Sequence, residues 1–233
     1  QKTAYEIPKR DWSSDVCSSD LRGRFDWADG ERAGEQARAA FAAIIGAQPQ
    51  EVALVPTVSI AAGTIAASLP VARAGENIVV GAREFSSNYF PWLQVRDRGY
   101  EIRTISAEDA LTSAEAFAAA ADGGTRLIAV SAVQSSNGYR TDLAAVSRVA
   151  ARSGARVYVD ASQAAGAVPL DVVKDGIDFL GCASYKFLLG SRGLSYLYVR
   201  SQLLDSVRPL APGGKRSEEH TSELQSRFGI SYA

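Results

Sequence analysis

Asp160 and Lys186 are the two residues of this 233-residue chain whose types and spacing are best suited to do chemistry together. Val157 to Asp160 reads as a short apolar strand ending in an acid, and Phe179 to Lys186 as a second strand ending in a lysine. In open α/β sheets, ligands bind outside the carboxyl ends of the strands. An acid and a lysine delivered to that edge suit one aromatic aldehyde, the carboxylate keeping a ring nitrogen protonated and the amine condensing with the aldehyde. Pyridoxal phosphate (PLP) needs that pair. A plainer description also fits, in which Asp160 caps a helix and Lys186 is a solvated loop charge. Spacing alone leaves both open.

Other stretches offer groups that such a cofactor would use. Thr57-Val58-Ser59 follows a strand and opens a helix, where free amides and hydroxyls would hold a phosphate, although Ser and Thr cap many helices without any ligand. Phe85, in Glu84-Phe85-Ser86-Ser87-Asn88, sits at another strand-to-helix junction and is either a ring-stacking side chain or a core phenylalanine. Ser135-Ser136-Asn137-Gly138 also follows a strand and offers hydroxyls, or is simply a turn. Cys182, inside an apolar strand, reads as a small buried residue rather than a nucleophile. The sequence contains neither GxGxxG nor GxxxxGK[ST], which lowers the dinucleotide and nucleoside-triphosphate readings.

The elements that must position these residues follow from hydrophobic period and punctuation. Helices are expected over 30–47, from 57 to about 69, over 84–99 with Pro91 in the first turn, and over 113–122 and 142–154. Strands are expected at 52–56, 77–82, 100–106 and 126–133, then around Val157–Asp160, Phe179–Lys186 and Leu194–Val199. About seven strands, most separated by helices, imply a three-layer α/β/α domain with a mostly parallel sheet. The junctions at 57–59, 85, 135, 160 and 186 then share one sheet edge.

Composition sets outer bounds. The chain is 46% hydrophobic and 22% charged, with a net charge of −1, which suits a globular α/β domain and argues against a nucleic-acid partner. No apolar run approaches membrane-spanning length, and no signal-peptide core stands at the N-terminus. Two cysteines, Cys17 and Cys182, give neither a disulfide framework nor zinc spacing, so a cytoplasmic location is the default; His220 alone cannot build a histidine metal site.

Residues 11–21, DWSSDVCSSDL, and 216–226, RSEEHTSELQS, read as foreign to the fold. One back-translation of the second has a reverse complement that, read one base in, encodes the first. Those nucleotides resemble a common short-read sequencing adapter. Residues 1–21 and 216–233 are therefore expected to be artefact, leaving 22–215 as an incomplete PLP-binding large domain. That remainder holds no histidine and a single cysteine.

The run AVQSSNGYRTDL…VYVDASQAAGAVPLDV…DFLGCASYKFLLGSRGLSYLYV resembles the class V aminotransferase-fold PLP enzymes, which include cysteine desulfurases, kynureninase and relatives of isopenicillin-N epimerase. Similarity extends back to about Glu31, and the DxxQ plus SYK combination at this spacing is highly specific. The resemblance implies the large domain of a fold-type-I PLP-dependent transferase. It implies that Lys186 forms the Schiff base and then acts as general acid–base on the substrate α-proton. By the same resemblance Asp160 pairs with the pyridinium nitrogen, Gln163 approaches the cofactor's phenolic oxygen with Ser135 nearby, and Phe85 stacks on the ring. The Val58 amide, Ser59, Ser184 and Tyr185 would hold the phosphate, with Thr57, at a family glycine, a weaker candidate. A homodimer is implied as well.

Two departures qualify this. Cysteine desulfurases usually carry histidine where this chain has Phe85, which counts against desulfuration. Where they have Ser-Gly-His-Lys, this chain has Ala183-Ser184-Tyr185-Lys186, which moves the phosphate-binding serine to Ser184. With 216–233 set aside, the remainder is expected to end at Lys215, before the family's C-terminal small domain, which the resemblance implies would supply the arginine for the substrate carboxylate and, in desulfurases, the reactive cysteine. The expectation is a truncated PLP enzyme acting on an α-amino acid by transamination or related lyase or epimerase chemistry. Its rivals are a cysteine desulfurase or selenocysteine lyase, and a non-catalytic remnant serving as an interaction domain.

Overall fold

A computed structural model describes residues 27–81, 83–105 and 113–210. Both adapter-like ends, with Cys17 and His220, lie outside the described residues. Seven strands form one sheet: β1 (Val52–Val55), β2 (Asn77–Gly81), β3 (Glu101–Ile105), β4 (Thr125–Ser131), β5 (Arg156–Asp160), β6 (Phe179–Ala183) and β7 (Ser195–Val199). Their order across the sheet is β1-β7-β6-β5-β4-β2-β3. The run from β6 to β3 is parallel throughout, whereas β7 pairs antiparallel with both β6 and β1. That reversal has a simple cause. A parallel return needs a crossover, usually a helix, and residues 184–194 between β6 and β7 contain none.

Apart from Arg126 in β4 and Arg156 at the start of β5, the central strands are buried along their length, as strands covered on both faces must be. Successive side chains alternate between two cores. Ile128, Val130, Val157, Val159, Leu180 and Cys182 pack against α1 (Trp27–Ile45), α4 (Ala114–Ala120) and α5 (Leu143–Ser153). Leu127, Ala129, Tyr158, Phe179 and Leu197 pack instead against α2 (Val58–Ser68) and α3 (Phe90–Leu93). The three-layer, mostly parallel α/β/α arrangement read from the sequence is the one observed.

Two elements differ from expectation. The helix expected over 84–99 is three short pieces: a 3₁₀ turn at Ser86–Asn88, α3, and a second 3₁₀ turn at Gln94–Arg98. Pro91 lacks an N–H to continue a hydrogen-bond ladder, and the Asn88 side chain is drawn inward to Glu84 and Trp92. Arg98 then turns its guanidinium onto the carbonyls of Ala66, Ala67 and Leu69, closing the C-terminus of α2. The strand expected to run to Lys186 ends at Ala183, so the lysine stands on a loop.

Gly181, opposite Asp160 in the β5–β6 pairing, shows how tightly this edge is built. A Cβ there would lie 2.2 Å from the Tyr158 hydroxyl, a buried group without a hydrogen-bond partner. Gly181→Ala is expected to destabilise the chain by roughly 1–3 kcal/mol through overpacking, read as a lower urea midpoint. Adding Tyr158→Phe should restore most of the loss, and an unchanged midpoint in Gly181→Ala would contradict the packing described.

Candidate functional site

The carboxyl ends of the strands open onto a cleft of about 390 Å³. The helix α2 reaches it directly from β1 through Pro56. Thr57 is its N-cap, and the Thr57 hydroxyl accepts the Ile60 N–H at 3.2 Å. The first helical bond runs from the Ala61 N–H to the Thr57 carbonyl, so the Val58 and Ser59 amides precede the ladder and are left for a ligand. Ser59 Oγ donates to Ser87 Oγ at 3.1 Å, tying the helix start to the segment that carries Phe85. Partial positive charge at this end of an 11-residue helix favours an anion.

Phe85 is 46% exposed, with its ring in the cleft and Lys186 Nζ 5.2 Å from the ring centroid. No described carboxylate lies within salt-bridge distance of that amine. Tyr185 and Arg192 complete the rim, the guanidinium 5.7 Å from the tyrosine ring centroid. Arg192 was not singled out in the sequence, because an arginine between a serine and a glycine reads as an ordinary loop charge.

Asp160 ends β5 and forms the cleft floor. Its Oδ1 accepts the Ser162 N–H at 2.9 Å. Burial pushes its carboxyl above the ordinary range, while the Ser162 hydrogen bonds and the charge of Lys186 pull the other way. The loop after β5 is stitched to the end of β6. The Ala161 N–H donates to the Gly181 carbonyl at 2.8 Å, and the Ala183 N–H to Ser162 Oγ at 3.1 Å. Gly166, at φ +85°, lets the first loop approach the Phe187 carbonyl, where a Cβ would sit at 2.9 Å.

Of the residues singled out in the sequence, Thr57, Val58, Ser59, Phe85, Asp160, Tyr185 and Lys186 line this one cleft. Ser184, Ser135 and Gln163 do not. Ser184 is buried, its hydroxyl within 2.6 Å of the Ser191 carbonyl and 2.8 Å of that of Leu194, so it holds the β6–β7 loop closed. Ser135 is exposed on its turn, and Gln163 is half-buried in the turn after β5. Cys182 is buried beneath the floor, and burial, with the neighbouring Asp160 charge, raises its thiol pKa far above the usual value. It is no nucleophile there. Among the described residues no three His, Cys, Asp or Glu side chains come together as a metal site, and no helix is long and apolar enough to cross a membrane.

A buried acid in the floor, an amine over an aromatic ring and a helix N-terminus thus stand together at one cleft. A family model, "Aminotransferase class-V", matches residues 27–228, and the chain belongs to that family. It is 35% identical over 186 residues to the uncharacterized aminotransferase YcbU of Bacillus subtilis (strain 168), covering 80% of this chain and 50% of that protein. It is 32% identical to a probable cysteine desulfurase of Methanothermobacter thermautotrophicus, over 77% of this chain and 45% of that one. A structure of C-DES with glycine covalently linked to its PLP cofactor superposes with a TM-score of 0.76 at 21% identity, over 90% of this chain and 59% of that one. The fold is that of a fold-type-I PLP-dependent transferase large domain. The chain spans about half the length of the curated relatives it matches.

The raised carboxyl of Asp160 has a consequence for the free chain. An acid whose pKa is higher folded than unfolded binds its proton more tightly when folded. Folding is therefore weakened as pH rises from the ordinary carboxylate range to the raised value, and stays weakened beyond it. Asp160→Asn is expected to raise the stability of the cofactor-free chain at neutral pH by about 0.5–2 kcal/mol and to flatten that pH dependence, measured by urea denaturation across pH. A lower stability at neutral pH would contradict the cost assigned to the buried charge.

Proposed function

We propose that this chain is the cofactor-binding part of a PLP-dependent enzyme that acts on an α-amino acid, most akin to the class V aminotransferases. The observation that carries the reading is the convergence of Asp160, Lys186 and Phe85 on one cleft with the α2 N-terminus. The residues present fit PLP. A buried carboxyl that burial alone would neutralise gains a cationic partner in a ring N–H, and Lys186 is an amine without an ion-pair partner among the described residues.

When bound, PLP supplies an aldehyde for amino groups and an electron-withdrawing ring. Asp160 would keep its ring nitrogen protonated. Lys186 would hold the cofactor and carry the proton to and from the substrate α-carbon. Phe85 would shield the ring from water. The Val58 and Ser59 amides, the Ser59 hydroxyl and Tyr185 would hold the phosphate, with Thr57 shaping that end as the helix cap. Ser184 acts one step back, by fixing the loop that bears Lys186. Gln163 and Ser135 would serve the phenolic oxygen from the turns after β5 and β4. Homodimerisation in the cytoplasm, which the family resemblance and the cysteine usage favour, would cover the exposed Phe187 and Leu189.

A second reading, cysteine desulfuration, draws support from the relative so named. Cys182 is buried and held protonated, so it would not serve as the reactive thiol of that reaction. Phe85 replaces the usual histidine. PLP added to the chain is expected to give a visible absorption band that Lys186→Ala abolishes. Cysteine should then release no more sulfide than the variant does. A band that persists in Lys186→Ala would sink the assignment, and no band at all would favour the non-catalytic remnant.

A further inference from the structure

Glu84 lies outside the machinery described so far, yet it is the most heavily bonded carboxylate among the described residues at this edge of the sheet. It is 8% exposed, at the end of the β2 connection. Four donors converge on it. Oε1 accepts the Ser131 N–H at 2.9 Å and Gln134 Nε2 at 2.6 Å. Oε2 accepts Asn88 Nδ2 at 2.8 Å and the Ser131 hydroxyl. Asn88 in turn accepts the Trp92 indole N–H on its Oδ1 at 3.2 Å, which fixes which way its amide points.

These partners belong to two loops, one of which carries Phe85 into the cleft while the other carries Ser135 on the neighbouring turn. Phe85 follows Glu84 directly, so anchoring the carboxylate sets where the ring lies beside Lys186. Gln134 opens the turn that carries Ser135, and its backbone closes that turn through bonds with Tyr139 and Gly138 at 2.9 Å each. We propose that Glu84 is a positioning residue: its one carboxylate locks the Phe85 loop after β2 to the Ser135 turn after β4, and so holds the aromatic cover over the cofactor. The proposal rests on the reading of the cleft as a PLP site.

Only a carboxylate can do this with these neighbours. A glutamine offers one acceptor oxygen and a donating NH₂. With its nitrogen at the Oε1 position, two N–H donors lose their acceptor. With its nitrogen at Oε2, it faces the Asn88 NH₂. Asn88 can flip to relieve that clash only by turning its own NH₂ toward the Trp92 indole N–H. Every arrangement leaves a buried donor unmade, which favours release of one loop.

The test uses the full chain as Glu84→Gln, Phe85→Ala and the double variant. In the cofactor-free chain, Glu84→Gln is expected to speed amide hydrogen exchange over both 84–92 and 134–140 while leaving β5 unchanged. Faster exchange in one loop only, in neither, or throughout the sheet would overturn the lock. With PLP, Glu84→Gln should weaken binding by roughly tenfold, and the double variant should bind no more weakly than Phe85→Ala alone. Losses that multiply would mean that Glu84 does not act through Phe85. If wild type shows no cofactor band, the PLP reading fails on its own, and the exchange pattern still decides the lock. Should Glu84→Gln not fold, Ser131→Ala, which removes a single donor, is expected to give the same exchange pattern to a smaller degree, and no change there would overturn the proposal.

Discussion

Asp160 puts a carboxyl group where water scarcely reaches, with the Ser162 amide and hydroxyl and the field of Lys186 as the influences that favour its charge. Left alone, such a group drifts toward the neutral form. A cationic ring nitrogen placed against it would reverse that drift, and the carboxylate would in turn keep the nitrogen protonated. The cost of burying the acid and the capacity to bind a pyridinium ring are thus one property. An amine, an aromatic face and a helix N-terminus stand in the same cleft.

That arrangement depends on backbone more than on side chains. Asp160 and Gly181 are paired across β5 and β6, and Ala161 and Ser162, beyond the end of β5, continue to bond to β6. Gly181 makes room for Tyr158 below, Gly166 lets the loop after β5 touch the loop bearing Lys186, and Ser184 folds the β6–β7 connection back on itself. The absence of a helix in that connection sends β7 back antiparallel. The Lys186 loop therefore stays over the sheet edge, where a crossover would have drawn it away.

Much of this was legible in the sequence, for identifiable reasons. Strands such as Thr125–Ser131 and Phe179–Ala183 are apolar on both faces and bounded by polar turns, which few other structures allow. Asp160 and Lys186 stood out because charges rarely end such strands. What escaped depends on contacts distant in sequence. Ser184 looked like a phosphate donor, and only the folded loop shows its hydroxyl spent on Ser191 and Leu194. The segment 84–99 carried helix signals, but Glu84 gathers Asn88 together with Ser131 and Gln134, and Pro91 interrupts what remains. Glu84 itself left no mark, since a glutamate before Ser and Asn reads as a helix-start acid.

The central claim is that Lys186, and no other amine, takes the cofactor in a cleft whose floor is Asp160. Borohydride reduction of the PLP-treated chain, followed by peptide mass mapping, tests it most directly. A single stable pyridoxyl adduct is expected on the peptide containing Lys186, with its yield sharply reduced in Asp160→Ala. Adducts spread over surface lysines such as Lys174, or a Lys186 adduct indifferent to the loss of Asp160, would contradict it.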